Sequence, residues 1–514
     1  MAGMRADSPG VMLAQDVAIE PLVDGWPAWL MLLDPVTAGF YRQRHVELLT
    51  SYISNPKRHA RALRDPRLTG GPFCDLECTP DDKVVAYLEW YAKSSREHLQ
   101  FAHDLEQVRR VLMEADADSP LPDYRQLPAS LRGRIEFRYD YLGRPSLRLL
   151  TGAADVPQVN GGAIWASALS RPSILSTPRL TDDPRTQTSG MTPSAIGAFS
   201  AMHHREVALA DFERFAREAG VRNPLQLVAQ PVRGAGTDRR VRFLGHTSVA
   251  IPLASGLLVS DPVPPSGNPA ARGLADVRLV LITHGHPDHF SPEALLSLLP
   301  MGPTVVVPAS GSGTPYDPPL KSAVQALGFA DVVELRPYET LGQDDVIVRA
   351  LPFLGEHGSL AIDSKTVYEV RQEQRSIVLA ADATGLDPQV LVGCSSAASS
   401  VCLIIGIEPA GARSGWLYGP VLGKSAAGLR LAAQPLAGAD AAEVLALARA
   451  SGAGAIRIYG TGAPGMGHVL GRSSLNASRA DAEAAKLREM PGARDLDIRV
   501  LTRPGQEVAG DTRP

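Results

Sequence analysis

Seven residues constrain this chain more than any other stretch: Thr283-His284-Gly285-His286-Pro287-Asp288-His289. Three imidazoles and a carboxylate follow directly on the apolar run Val277, Leu279, Val280, Leu281 and Ile282, the pattern of a buried strand that ends in a loop. Burying four such groups together with no cation would leave polar atoms unpaired and a carboxylate uncompensated. The segment therefore reads as a metal site, for two ions rather than one. A helix is expected behind it, with Ser291 as N-cap, Pro292 at the first helical position and Phe290 placed to staple onto Leu295. That framing argues against a solvent-exposed histidine cluster.

A length of 514 residues exceeds one ordinary core, so two domains, or three, are expected. The net charge of −4 gives no general attraction to nucleic acid or to an anionic membrane. Met1 to Glu20 carries Asp7, Asp16 and Glu20 and no long apolar core, so it reads as neither signal peptide nor membrane span, and a cytoplasmic location is expected. Four cysteines are too few for a disulfide framework. The pair Cys74 and Cys78 has no evident partner ligands and reads as structural thiols rather than a zinc site.

The strand-like runs 241–244, 249–251 and 256–259 open a region that continues beyond the metal loop with runs at 304–307, 332–335 and 346–351 and a helical pattern at 320–327. A hairpin is expected at 367–370 and 377–380, a buried strand at 401–407, a helix at 441–450, a strand at 455–459 and a helix at 480–490. The run 498–501 closes the series. This order, with H-x-H-x-D-H at its centre, resembles the metallo-β-lactamase fold, and the resemblance implies an αββα sandwich over 237–514. Residues 1–236 read as an α+β domain, with helices at 38–63, 84–115 and 195–219 and a hairpin at 135–150.

The resemblance also implies further ligands from later loops. Gly355-Glu356-His357 follows a strand end where hydrolases of the fold place a histidine. Glu356 stands there instead, and a shift of one residue would put His357 in its place. Otherwise His357 lies on the pocket wall. Asp382, after the strand 377–380, matches the carboxylate that bridges two metals, and His468 matches a final ligand. The implied set is His284, His286 and Glu356 on one ion, Asp288, His289 and His468 on the other, with Asp382 shared. Asp261 is expected to orient the metal loop rather than bind metal. His246 either lines the pocket, as a catalytic candidate, or packs, while adjacent His203 and His204 read as structural or surface residues.

With Glu356 added, the set carries three carboxylates, which suits iron better than an imidazole-rich zinc site would. Together with a large N-terminal domain, it is similar to the diiron β-hydroxylase family of chloramphenicol biosynthesis. The resemblance implies a homodimer whose N-terminal domain covers the site, two iron ions, and O2 as co-substrate. It further implies an aminoacyl group tethered to a nonribosomal peptide synthetase carrier domain, hydroxylated at its β-carbon. No G-x-G-x-x-G follows a strand, so an external electron donor, a separate reductase, is expected. The alternative is a dinuclear zinc hydrolase, a thioesterase, lactonase or phosphodiesterase, using metal-bound hydroxide. The basic run Lys57 to Arg67 reads as a solvated helix face or as a docking surface for an acidic carrier.

Overall fold

The computed structural model describes residues 10–24, 26–32, 35–62, 81–150, 157–165, 186–189, 191–218, 221, 224–230, 240–310, 320–354, 364–383, 387–394, 400–407, 439–463, 466 and 475–509. Glu356, His357, His468, Cys74, Cys78 and the part of the basic run after Ala62 lie outside them.

Two seven-stranded sheets form the second half of the chain. The first is built from β1 (Val241–Gly245), β2 (Ser248–Pro252), β3 (Leu257–Ser260), β4 (Val277–Leu281), β5 (Thr304–Pro308) and β6 (Val332–Leu335). The second contains β7 (Thr340–Gln343), β8 (Val346–Pro352), β9 (Thr366–Gln372), β10 (Arg375–Leu379), β11 (Ser400–Gly406), β12 (Ala455–Tyr459) and β13 (Asp497–Val500). A last strand, β14 (Glu507–Ala509), returns to pair with β1 and closes the first sheet in the order β6-β5-β4-β3-β2-β1-β14. The second sheet runs β7 to β13 in sequence order. The run at 498–501 is thus not the last strand of the region, and β7 and β14, both short, went unread in the sequence.

Side chains of the central strands alternate between two cores, as a period of two requires. Leu279 and Leu281 of β4 face the second sheet's Tyr368, Leu379 and Ile404 in a buried inter-sheet core. Val280 and Ile282 point the other way, onto Leu295 of helix α1 (Pro292–Leu298) and Val324 of helix α2 (Leu320–Ala326). On the far side, Val378, Leu403 and Ile456 pack against Val444 of helix α3 (Ala441–Ser451) and Leu487 of helix α4 (Leu475–Glu489). The layers are helix, sheet, sheet, helix, as the strand order implied.

The first part of the chain is more broken than its periodicity suggested. The expected helix at 38–63 is two, Pro35–Ser54 and Pro56–Ala62, parted where Pro56 cannot continue the hydrogen bonding. The helix expected at 84–115 divides at Ser95 into Asp81–Ser94 and Arg96–Met113, and that at 195–219 into Pro193–Ser200 and Leu209–Glu218. The hairpin at Ile135–Tyr139 and Pro145–Leu149 forms as expected. A four-stranded sheet that includes Ala18–Val23 and Gly161–Trp165 gave no legible signal. Residues of this part, Ile196 and Phe199 among them, join the core that covers α1. Among the described residues no helix is long and apolar enough to cross a membrane.

Candidate metal centre

Sheet ends converge on the metal loop, and the backbone and several side chains there have traceable anchors. β4 stops at Leu281, and Ser291 caps α1, its Oγ accepting from Ala294 N at 3.2 Å with Pro292 at the first helical position. Between these rigid elements His284, His286, Asp288 and His289 are all buried. Backbone N–H groups of His289 and Phe290 both donate to His286 O, at 2.9 and 2.8 Å, which turns the loop tightly.

Asp261, at the end of β3, sets the proton positions. Its Oδ1 accepts from Thr283 N at 2.8 Å, and its Oδ2 accepts from Thr283 Oγ1 at 2.7 Å and from His289 Nδ1 at 2.8 Å. Because the Thr283 hydroxyl proton is spent on Asp261, His284 Nδ1–H must be the donor in its 3.0 Å contact with Thr283 Oγ1. One carboxylate thereby holds the Nδ1 protons of two histidines and leaves both Nε2 atoms facing inward. The expectation that Asp261 orients the loop agrees with this geometry, while Thr283, between the two histidines, was not singled out in the sequence.

His284 Nε2 lies 2.9 Å from His286 Nδ1. His289 Nε2 lies 2.9 Å from Asp382 Oδ2, and ligand atoms of His284, His289 and Asp382 fall within 4.8 Å of one another. A second such group joins His246, Asp288 and His289. Asp288 Oδ1 is buried and has no hydrogen-bond partner among the described residues. Burial opposes charge on His289, but Asp382, Asp288 and Asp261 outweigh it and hold its pKa well above the ordinary histidine value. A cation placed among these groups would do the work of that proton and satisfy the orphaned carboxylate oxygen, so the donor set fits metal.

Asp382 comes from the other sheet. It follows β10 in a turn where Ala381 adopts a left-handed φ of 48°. Ala381 N–H donates to Tyr459 Oη at 3.0 Å, and Ala381 O accepts from Gly406 N at 2.9 Å. A Cβ on Gly406 would stand 3.3 Å from Asp382 Oδ1. Neither Tyr459 nor Gly406 was singled out in the sequence, since an aromatic and a glycine at strand ends carry no metal-ligand pattern. His203 and His204 are both buried, away from this loop, and His204 Nε2 meets Ser297 Oγ of α1 at 3.0 Å.

An αββα sandwich with H-x-H-x-D-H between strand and helix defines a metallo-β-lactamase fold with a site suited to two metal ions. A family model described as the diiron non-haem β-hydroxylase N-terminal domain matches residues 12–190. The 4-amino-L-phenylalanyl-[CmlP-peptidyl-carrier-protein] 3-hydroxylase of Streptomyces venezuelae is 31% identical over 451 residues, 80% of this chain and 83% of that one. The crystal structure of CmlA, a diiron β-hydroxylase from the same organism, superposes with a TM-score of 0.74 at 25% identity, covering 97% of this chain and all of that one. The chain belongs to the diiron β-hydroxylase family, and it is an enzyme.

Proposed function

We propose that this enzyme hydroxylates the β-carbon of an aminoacyl group held as a thioester on a nonribosomal peptide synthetase carrier domain. The observation that supports this most directly is the relative that acts on a carrier-bound amino acid, which the chain matches over 83% of that relative's length. Two iron ions, when bound, supply the reduction of O2 and the oxidation of the C–H bond. One oxygen atom enters that bond and the other leaves as water, so an electron pair must come from outside, and a separate reductase fills that role.

The chain's own residues bind and hold. His284 and His286 would hold one ion, with Glu356 as the third ligand, and Asp288 and His289 the other, with His468. Asp382 would be shared, a reading supported by its lying within reach of both His284 and His289. Asp261 and Thr283 keep the Nδ1 protons of His284 and His289 in place, so that both rings meet a cation with an unprotonated Nε2. Glu356, Asp288 and Asp382 add anionic oxygen donors, which favour iron in its higher oxidation states.

Metal analysis tests the reading. Protein from iron-supplied cells should contain about two iron ions per chain, and apo-protein reloaded with iron should hydroxylate a carrier-tethered amino acid but not the free one. Activity restored by zinc alone would overturn it. Glu356→Ala should lose or scramble one ion while His357→Ala keeps both, and the reverse result would exchange the two assignments.

A further inference from the structure

His246 has been left between two roles, pocket wall and packing, and its place in a three-residue cluster with Asp288 and His289 adds a third, metal ligand. Its hydrogen bonds decide among them. Gly462 N–H points at His246 Nδ1, 3.2 Å away, and a backbone N–H can only donate. Nδ1 is therefore the acceptor, and the proton of the neutral ring sits on Nε2. That Nε2–H lies 3.1 Å from Asp288 Oδ2, which accepts it. A nitrogen that carries a proton has no lone pair to give a metal ion.

We propose that His246 is a positioning residue that clamps Asp288 Oδ2 and so turns Oδ1, the buried oxygen without a partner among the described residues, toward the metal. The backbone is built for this task. His246 sits at the tip of the β1–β2 hairpin with φ of 50°, a left-handed conformation uncommon outside glycine. Its N–H donates to Gly462 O at 2.9 Å and its O accepts from Gly460 N at 2.8 Å, so both main-chain groups are locked to the segment 460–462. Gly245 beside it must be glycine: its φ is 122°, and a Cβ there would stand 2.8 Å from Ala463 Cβ. The hairpin tip and the segment after β12 thus grip each other, and the imidazole between them fixes the direction of one carboxylate.

This inference rests on the dinuclear reading of the site, and cobalt uptake separates the two. His246→Asn keeps an acceptor near Gly462 and suits a left-handed backbone, but it is too short to reach Asp288. His246→Gln places an amide N–H near the position of Nε2 and restores the clamp. Apo-protein is titrated with Co2+ alone, following the visible absorption of the bound ion, with circular dichroism as the check on folding. Wild type taking up two cobalt ions upholds the dinuclear site; fewer would sink that reading itself. With two bound, His246→Asn should weaken the affinity of one ion about 10–100-fold while His246→Gln stays close to wild type. Wild-type affinity in His246→Asn would overturn the positioning role. Equal loss in both variants would overturn it as well, and make His246 a ligand.

Discussion

The two parts of this molecule bury different things. In the sandwich, central strands fill both faces with apolar side chains in alternation, Leu279 and Leu281 to one core and Val280 and Ile282 to another. In the first part of the chain polar groups share the interior: Glu20, Arg42, His45, His59, His203 and His204 are all buried. Arg42 donates to His98 Nδ1 at 3.2 Å, and His45 Nδ1 meets Tyr91 Oη at 2.8 Å. An apolar core is indifferent to acid, whereas a core containing neutral imidazoles is not. Outside the metal loop, the sandwich pairs buried charges with opposite ones, Glu369 with Arg349 and Arg371, Arg457 with Asp497 and Glu483 with Lys486, while the first part holds buried imidazoles within its fold.

Acid should therefore act on the first part, and this is the largest effect expected. Burial, aided by Arg42, lowers the His45 pKa to about 4, and burial, aided by Arg272, lowers that of His204 to about 3. Unfolded, each imidazole would protonate near its ordinary value of 6.5. Below that pH the unfolded state binds protons that the folded state refuses, so stability is complete above it and falls as the pH drops toward the folded values. At about pH 4.5 each group should have cost roughly 2–3 kcal/mol, at about 1.4 kcal/mol per pKa unit. Four of the five tryptophans, Trp26, Trp29, Trp90 and Trp165, precede the sandwich in sequence, so urea unfolding followed by tryptophan fluorescence at pH 7 and 4.5 reads the effect. His204→Gln keeps a donor for Ser297 and removes the titration, and should flatten the pH dependence. An unchanged profile in that variant would show that the contrast between the two parts is misplaced.

Next in size is the loss of the histidine common to both ligand groups. His289→Ala should lower metal affinity by more than about 100-fold, beyond the usual effect of an outer partner, while the acid profile read by tryptophan stays that of wild type. Asp261→Asn should follow with a smaller loss, because an amide cannot accept all three of the hydrogen bonds that Asp261 receives from Thr283 and His289. A shifted acid profile in His289→Ala would break the separation from the other side.

The same contrast explains what could be read in the sequence. Period-two strands and a contiguous H-x-H-x-D-H are local patterns, so the sandwich, the metal loop and the Ser291 cap were legible. The first part was legible only in its hairpin and the rough places of its helices, because those helices stop at Asn55 and Ser95 for local reasons that apolar periodicity does not report, and because strands such as 161–165 carry no alternation. Within the site, Asp382 was found by its place after a strand, but its supports were not. Tyr459 and Gly406 are 77 and 24 residues further along the chain, and only folding sets them beside it. Thr283 adjoins the motif and still escaped, since its role appears only once Asp261 is seen to take its proton.

Those distant supports give the finest test of the comparison, because they belong to the sandwich yet are as illegible as anything in the first part. Tyr459 is fully buried, and burial, with the charges of Asp261 and Asp382 nearby, holds its phenol pKa well above the ordinary value, so it remains a neutral hydroxyl. Tyr459→Phe would leave Ala381 N–H without its acceptor in a buried turn, at a cost of about 1–3 kcal/mol. It would also free the left-handed Ala381 that aims Asp382. Gly406→Ala removes no hydrogen bond, but it presses a methyl 3.3 Å from both Ala381 O and Asp382 Oδ1, and should disturb the carboxylate with little change in stability. Thermal unfolding of the apo-proteins and cobalt affinity separate these effects: both variants should bind cobalt more weakly, and only Tyr459→Phe should melt earlier. If both bind cobalt as wild type does, Asp382 is held by its own turn, and this half of the site is as locally determined as the metal loop.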